Sequence, residues 1–259
     1  MGTTFRARRY NFDWRSFITP GVKLLVLVCT GVFLLQTLLS LLAPPAATIW
    51  LLKWFALIPE AVTHHIPPRI WQPFTYIFLH SGLLHLLINM LMLWMFGRDL
   101  ELVWGKRRFL NYFFICGVGA GLIELFVKTI PVFFGSLPSV IPTIGASGAI
   151  FGILMACAIL YPDRPILFGF IFPMQMKWFV LIVGVIAFLS SFQVNSGVSA
   201  FAHLGGLLFG YFFLKTPNLR FDLLGPIQRQ YKDYKLRRAR KKFQVYLNKQ
   251  GSGRGPTIH

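Results

Sequence analysis

Acidic residues are scarce in this chain: 8 Asp and Glu among 259 residues, against 26 Lys and Arg. Charge of either sign totals only 13% while hydrophobic residues reach 55%. That excludes an ordinary soluble domain, in which about a quarter of the residues are charged. Cysteine is nearly absent as well. The three present, Cys29, Cys116 and Cys157, fall in separate apolar runs with no CxxC spacing, so they suggest neither a disulfide framework nor a metal site and read as packing residues. No internal repeat is visible, which leaves an inverted-repeat transporter without support.

Long apolar runs are what the chain has instead. They lie at about Leu24–Ala43, Leu83–Phe96, Phe109–Val127, Ser147–Leu160, Trp178–Phe192 and Ser199–Leu214, some reaching the roughly 20 residues a spanning helix needs and others falling short. The expected fold is an all-α membrane protein of six transmembrane helices. The first run carries Pro44-Pro45 where a signal peptide would carry small residues, so it is expected to stay as an anchor. Threading six helices from an inside N-terminus leaves only Lys53, Arg69 and Lys128 of the 26 Lys and Arg outside, a strong positive-inside bias. Both termini are therefore expected in the cytoplasm. The net charge of +18 is accounted for by topology and does not call for nucleic acid. A bacterial inner membrane is the expected location, because no organelle-targeting extension is visible and the basic bias is clean.

Three segments follow: a basic cytoplasmic tail over 1–22, a six-helix core over 23–215, and a second basic tail over 216–259. Between Arg229 and Lys242 every charge but Asp233 is positive, with Tyr231, Tyr234 and Leu236 interleaved. This stretch reads either as a solvated stop signal or as an amphipathic segment on anionic inner-leaflet lipid. The connection 44–82 holds Trp50, Trp54, Phe55, Trp71 and Phe74 with prolines at 44, 45, 59, 67, 68 and 73. Amphipathic aromatics and helix breakers together describe a folded loop in the outer interface.

The polar residues inside the runs carry the chemistry. Ser147 opens a run that ends before Pro162, and about 14 residues at 1.5 Å each give only ~21 Å against a ~30 Å hydrocarbon core. Its helix must start below the outer surface. The irregular approach Pro142-Thr143-Ile144-Gly145 is tolerated there only in a watery cavity or buried in protein. Counting up from Asp163, Lys215 and Arg98 at the cytoplasmic ends puts Ser147 ~24 Å, His203 ~18 Å, His85 ~20 Å and Asn89 ~14 Å up, all in the outer half. A serine hydroxyl needs a base to become a nucleophile, and the imidazole of His203 is the candidate. Asp13, Asp99, Glu101, Asp163, Asp222 and Asp233 map to the cytoplasmic side, Glu60 to the outer loop, and Glu124 stands at i,i+4 to Lys128. A Ser–His dyad without an acid is therefore expected.

His85 and Asn89 share a helix face and both offer side-chain donors; with the Ser147 backbone N–H they form a candidate oxyanion site, the alternative being a satisfied polar pair in the core. Gly148 and Gly152 in one run, and Gly206 and Gly210 in another, form small-xxx-small stripes suited to close helix approach. Phe151 lies on the Ser147 face, either against the His203 ring or as ordinary core. His64-His65 lacks Cys or acidic residues at ligand spacing, so no metal and no cofactor is expected.

Gly145-Ala146-Ser147-Gly148, Ala202-His203-Leu204-Gly205-Gly206 with Gly210, and His85-Leu86-Leu87-Ile88-Asn89 together resemble the rhomboid family of intramembrane serine proteases over roughly residues 24–215. The resemblance implies Ser147 as nucleophile, His203 as base, His85 and Asn89 as oxyanion helpers and Phe151 packed on the histidine. It also implies a structural Gly/Glu turn at Gly97 and Glu101–Gly105, and a structural role for His80. One departure is visible: where the family often has Trp-Arg in the first loop, Trp71 is followed here by Gln72, with Arg69 two residues before. Rival intramembrane proteases need His-Glu-x-x-His or paired aspartates within the runs, and neither occurs. The non-enzyme alternative is a rhomboid-like scaffold that binds transmembrane segments without cutting them.

The expected reaction is hydrolysis of a peptide bond in or beside a transmembrane helix of a single-pass or polytopic protein, near its outer end. From the resemblance, substrates with helix-weakening residues and a small residue before the cut are expected. The short uncharged connection after Phe192 makes the run Trp178–Phe192, with Gln193–Gly197, the expected gate.

Overall fold

A computed structural model describes residues 17–168, 172–190 and 200–216, together with Leu236 and Arg238. The chain divides into two units, Met1–Arg220 and Phe221–His259. Most of the two basic tails, and the Gln193–Gly197 loop expected to take part in gating, lie outside the described residues.

The first helix, α1 (Pro20–Leu42), fully buries only Gly21, Val22, Leu25 and Cys29 and leaves the rest of an apolar surface partly buried or exposed. Its start is fixed from far away in the sequence. Glu101 accepts hydrogen bonds from Thr19 Oγ1 at 2.5 Å and from the backbone N–H groups of Gly21 at 2.7 Å and Val22 at 2.8 Å. A carboxylate thus satisfies donors that a helix N-terminus leaves without intrahelical partners, and complements the helix dipole.

The connection that follows is built from short helices: α2 (Pro45–Phe55), α3 (Pro59–Thr63) and α4 (Gln72–Thr75), the last running into a 3₁₀ turn at Tyr76–Phe78. Pro45, Pro59 and Pro73, read from the sequence as breakers, stand in the first two positions of these helices. There the missing N–H costs nothing and the fixed φ favours the helix. The Trp71 ring stacks on Trp54 at 5.8 Å and 6°, and the Arg69 guanidinium sits over Trp54 at 4.8 Å. Gln72 is fully buried, donating Nε2–H to Lys53 O at 2.8 Å and accepting from Ile58 N–H at 3.0 Å. The residue that departs from the family's Trp-Arg pair thus ties two loop segments together.

The sequence reading separates the second and third runs between Phe96 and Phe109. In the structure, α5 (Leu83–Met92), a π-helical segment (Leu93–Gly97) and α6 (Arg98–Thr129) follow one another without a loop. The charges between Arg98 and Arg108 interrupt the hydropathy where the two runs were separated. A break does occur at Gly105, with φ +76 and ψ 158, values open to glycine and strained for other residues. Among the described residues, α1 and the 52-residue stretch Leu83–Phe134 are long and apolar enough to cross a membrane. Three shorter apolar helices complete the bundle: α7 (Ser147–Leu160), α8 (Met176–Ser190) and α9 (Ala200–Lys215). All three cysteines are free and buried.

At the far end of α7 from Ser147, the strands β1 (Pro165–Phe168) and β2 (Phe172–Gln175) pair antiparallel, a hairpin that the apolar runs did not foretell. Arg164 is ion-paired with Asp99, and Lys177 Nζ lies 2.7 Å from Asp163. The centre of the bundle is α6, α7 and α9, packed on one another through small residues and the buried Tyr112, Phe109 and Phe113. Tyr112 donates its hydroxyl proton to Gly152 O at 2.7 Å, locking α6 to α7.

Candidate active site

The extended segment before α7 has no helix to satisfy its backbone and borrows partners instead. Gly145 donates its N–H to Tyr76 O at 2.9 Å, and Thr143 exchanges both backbone hydrogen bonds with Leu57. Gly145 has φ +124, a region that other residues rarely enter. A Cβ there would lie 2.9 Å from His85 Cε1 and Nε2 and 3.8 Å from Asn89 Nδ2. The glycine therefore lets the backbone leading to Ser147 lie directly against both side chains.

Ser147 begins α7, so its N–H has no intrahelical partner. His203 Nε2 on α9 is 2.8 Å from Ser147 Oγ, a hydrogen bond between residues 56 apart in the sequence. The ring of Phe151, one turn after Ser147, stacks on the His203 ring at 4.3 Å and 3°. Of the two readings left open for Phe151, this is the contact with the histidine. Among the described residues no Asp or Glu is paired with His203; Glu124, the carboxylate on α6, is 2.6 Å from Lys128 Nζ.

Two glycine contacts bring the helices this close. A Cβ on Gly206 would lie 1.9 Å from Gly148 O, and one on Gly210 would lie 3.0 Å from both Gly152 Cα and O. The stripes read from the sequence thus face each other across α7 and α9.

His85 and Asn89 stand together on α5 as their spacing required. His85 Nδ1 lies 3.4 Å from the Ser81 backbone N and 3.0 Å from Ser81 Oγ. A backbone N–H can only donate, so in a neutral ring Nδ1 is the acceptor and Nε2, the atom facing Gly145, carries the proton. Asn89 is buried, and its Nδ2 has no hydrogen-bond partner among the described residues. An unpaired buried donor costs about 1–3 kcal/mol and calls for an explanation, a catalytic role being one. His80 is also buried, its ring 5.2 Å from that of His85 at 63°. His64 and His65 are apart from this group: they lie in the connection between α1 and α5, bonded to Thr63 Oγ1 at 2.6 Å and Pro67 O at 3.1 Å.

Sequence reasoning missed the ties that hold Ser147's approach, namely Leu57 to Thr143 and Tyr76 to Gly145. No local pattern marks a single bridge between residues that far apart. Tyr76 offered a partial signal, being a tyrosine in an apolar stretch; its hydroxyl donates to Gly117 O at 2.7 Å.

Helices of this apolarity enclosing a bonded serine and histidine define an all-α integral membrane protein with a polar pair inside its bundle. A family model, the Rhomboid domain, matches residues 67–216, more than half of the chain, and the chain belongs to the rhomboid family. It is 33% identical over 144 residues to Rhomboid protein 1, mitochondrial, of Saccharomyces cerevisiae, covering 52% of this chain and 38% of that protein. It is 36% identical over 142 residues to Rhomboid protease GluP of Bacillus subtilis, covering 55% of this chain and 25% of that protein. A third relative, RHOMBOID-like protein 1 of Arabidopsis thaliana, is 30% identical over 181 residues, or 68% of this chain and 42% of that one. The chain thus spans less than half the length of these relatives.

Proposed function

We propose that the protein is an intramembrane serine endopeptidase that cuts transmembrane segments of single-pass or polytopic membrane proteins near the outer face. The observation that carries this reading is the 2.8 Å contact of His203 Nε2 with Ser147 Oγ beneath a stacked Phe151. His203 takes the Ser147 proton as Oγ attacks the scissile carbonyl, then gives it to the departing amine, leaving an acyl-enzyme on Ser147. Water, deprotonated by His203, attacks the acyl carbon and releases the second product. The Ser147 N–H, Asn89 Nδ2 and His85 Nε2–H are the donors for the oxyanion of each tetrahedral intermediate.

The test is labelling by a fluorophosphonate probe, which reacts with an activated serine. Labelling of the wild type and not of Ser147→Ala supports the protease; equal labelling of both, or of neither, supports the binding scaffold. Within that assay, Asn89→Ala is expected to lower cleavage of a transmembrane reporter by roughly 10²- to 10³-fold with little change in KM, because the donor acts on the oxyanion and not on the bound substrate. A rise in KM at unchanged kcat would return Asn89 to the role of a core polar residue.

The topology proposed has six crossings: α1, the two arms of the Leu83–Thr129 helix on either side of Gly105, α7, α8 and α9. The positive-inside bias puts both termini in the cytoplasm and favours a bacterial plasma membrane, with the basic run 229–242 on anionic inner-leaflet lipid. Substrate enters laterally between α5 and α8. In support, α8 packs on α7, α9 and the hairpin, with the Phe96–Phe179 stack at 5.9 Å beside the start of α6, and presents Leu181, Val185, Ile186, Phe188 and Leu189 as an exposed apolar face. A cysteine crosslink between Leu84 and Phe188 is expected to block cleavage of a transmembrane substrate while leaving fluorophosphonate labelling intact. Unimpaired cleavage in the crosslinked protein would remove α8 as the gate.

A further inference from the structure

The segment that delivers Ser147 is held by a charge cluster outside the dyad, its carboxylate buried and its lysine 24% exposed. Glu124 on α6 is fully buried, and its Oε1 accepts from Lys128 Nζ at 2.6 Å and from Thr143 Oγ1 at 3.0 Å. Lys128 Nζ also donates to Thr143 Oγ1 at 3.2 Å, closing a triangle of three side chains. Thr143, four residues before Ser147, is 2% exposed, and its backbone N–H and C=O pair with Leu57 at 2.8 and 3.0 Å. One residue therefore joins three parts of the fold: α6 through its side chain, the interfacial loop through its backbone, and α7 through the chain that follows.

Among the described residues, the rest of the approach segment is tied by single backbone hydrogen bonds, from Glu60 N–H to Ser139 O at 3.1 Å and from Gly145 N–H to Tyr76 O at 2.9 Å. An extended segment with so few ladder bonds has a weakly specified register. A slip at Thr143 would carry Gly145 off His85 and Asn89, and Ser147 off His203. Burying a carboxylate and an ammonium is a poor route to stability, since desolvation offsets most of their attraction. Fixing one arrangement of a segment is a better-supported use of such a pair.

Resting on the serine-protease reading, we infer that Glu124, held by Lys128, is a positioning residue that acts through Thr143 to set the register of the strand leading to Ser147. It takes no part in proton transfer. The hydrogen bond to Thr143 matters more than the charge, which separates this role from that of a plain ion pair.

The experiment uses the full chain in proteoliposomes, with fluorophosphonate labelling rate and reporter cleavage measured together. Thr143→Val removes the hydroxyl and is expected to lower labelling rate and kcat roughly 10- to 100-fold, the scale of a 1 Å misplacement, with KM within about twofold. Thr143→Ser restores both. The neutral pair Glu124→Gln with Lys128→Met keeps an amide oxygen for the Thr143 hydroxyl and is expected to lose no more than about threefold. Wild-type labelling in Thr143→Val, or a loss in the neutral pair as deep as that of Thr143→Val, would overturn the inference. If Thr143→Val does not fold, Thr143→Ala takes its place, and wild-type labelling in it, or a neutral-pair loss as deep as its own, overturns the inference. Failure of the protease reading itself is separately visible, as a wild type that does not label.

Discussion

Ser147→Ala and His203→Ala each lower turnover of a transmembrane substrate by about 10⁴- to 10⁶-fold, and the double variant loses no more than the worse single one. The expectation follows from a shared hydrogen bond. With His203 Nε2 at 2.8 Å from Ser147 Oγ, base and nucleophile act in one proton transfer on the proposed reading. Removing either empties the same step. In triads a carboxylate orients the imidazole. Here the ring lies 4.3 Å from the Phe151 ring and within 3° of its plane, and on the proposed reading this flat packing is what orients it. Steady-state cleavage of a reporter by the two single variants and the double variant measures the coupling. Losses that multiply would mean that the two side chains act independently, and the dyad would have to be abandoned.

What the sequence made legible were features with a local period. Ser147 at the head of a run too short to span, Phe151 one turn on, His85 and Asn89 four apart, and glycines four apart on two helices all follow from 3.6 residues per turn and 1.5 Å per residue. The same arithmetic set Ser147 and His203 at similar depths, and in the structure their side chains meet. Among the described residues the six runs fall on helical segments, with α7 spanning the same residues, Ser147–Leu160, as the run read for it.

What stayed hidden depends on partners distant in the chain or on backbone geometry that composition does not encode. Glu101 was placed near a structural turn, yet its partners Thr19, Gly21 and Val22 lie about 80 residues away. Hydropathy separated the second and third runs between Phe96 and Phe109, and the helical break at Gly105 lies inside that interval; what composition did not show is that the second arm starts at once, with no loop between. The left-handed conformations of Gly105 and Gly145 were likewise silent, since glycine in a helix or a loop need not mean positive φ. Prolines in the connection between α1 and α5 were read by their commonest effect, whereas position decides it: at the first turn proline starts a helix. Gln72, at the one visible departure from the family pattern, bridges the loop through its amide.

Gly206→Ala is expected to disable the protein more completely than its single added methyl suggests. A Cβ at that position would sit 1.9 Å from Gly148 O and 3.3 Å from Gly148 Cα. The obstacle is backbone, so no rotamer change relieves it, and α7 and α9 must separate by more than about 1 Å to reach ordinary contact. Ser147 precedes Gly148 directly and His203 lies one turn before Gly206, so the same separation opens the 2.8 Å hydrogen bond. Loss of labelling by about 10²-fold or more follows from displacement on that scale, with a stability loss of about 3 kcal/mol from overpacking. Two further glycines calibrate the effect. A Cβ on Gly184 of α8 would meet only the tip of Leu207, at 3.3 Å, and one on Gly31 of α1 would meet nothing within 4 Å. Alanine at either should leave labelling and thermal unfolding close to wild type. Labelling at the wild-type rate in Gly206→Ala would mean that something other than the α7–α9 spacing holds the serine against the histidine.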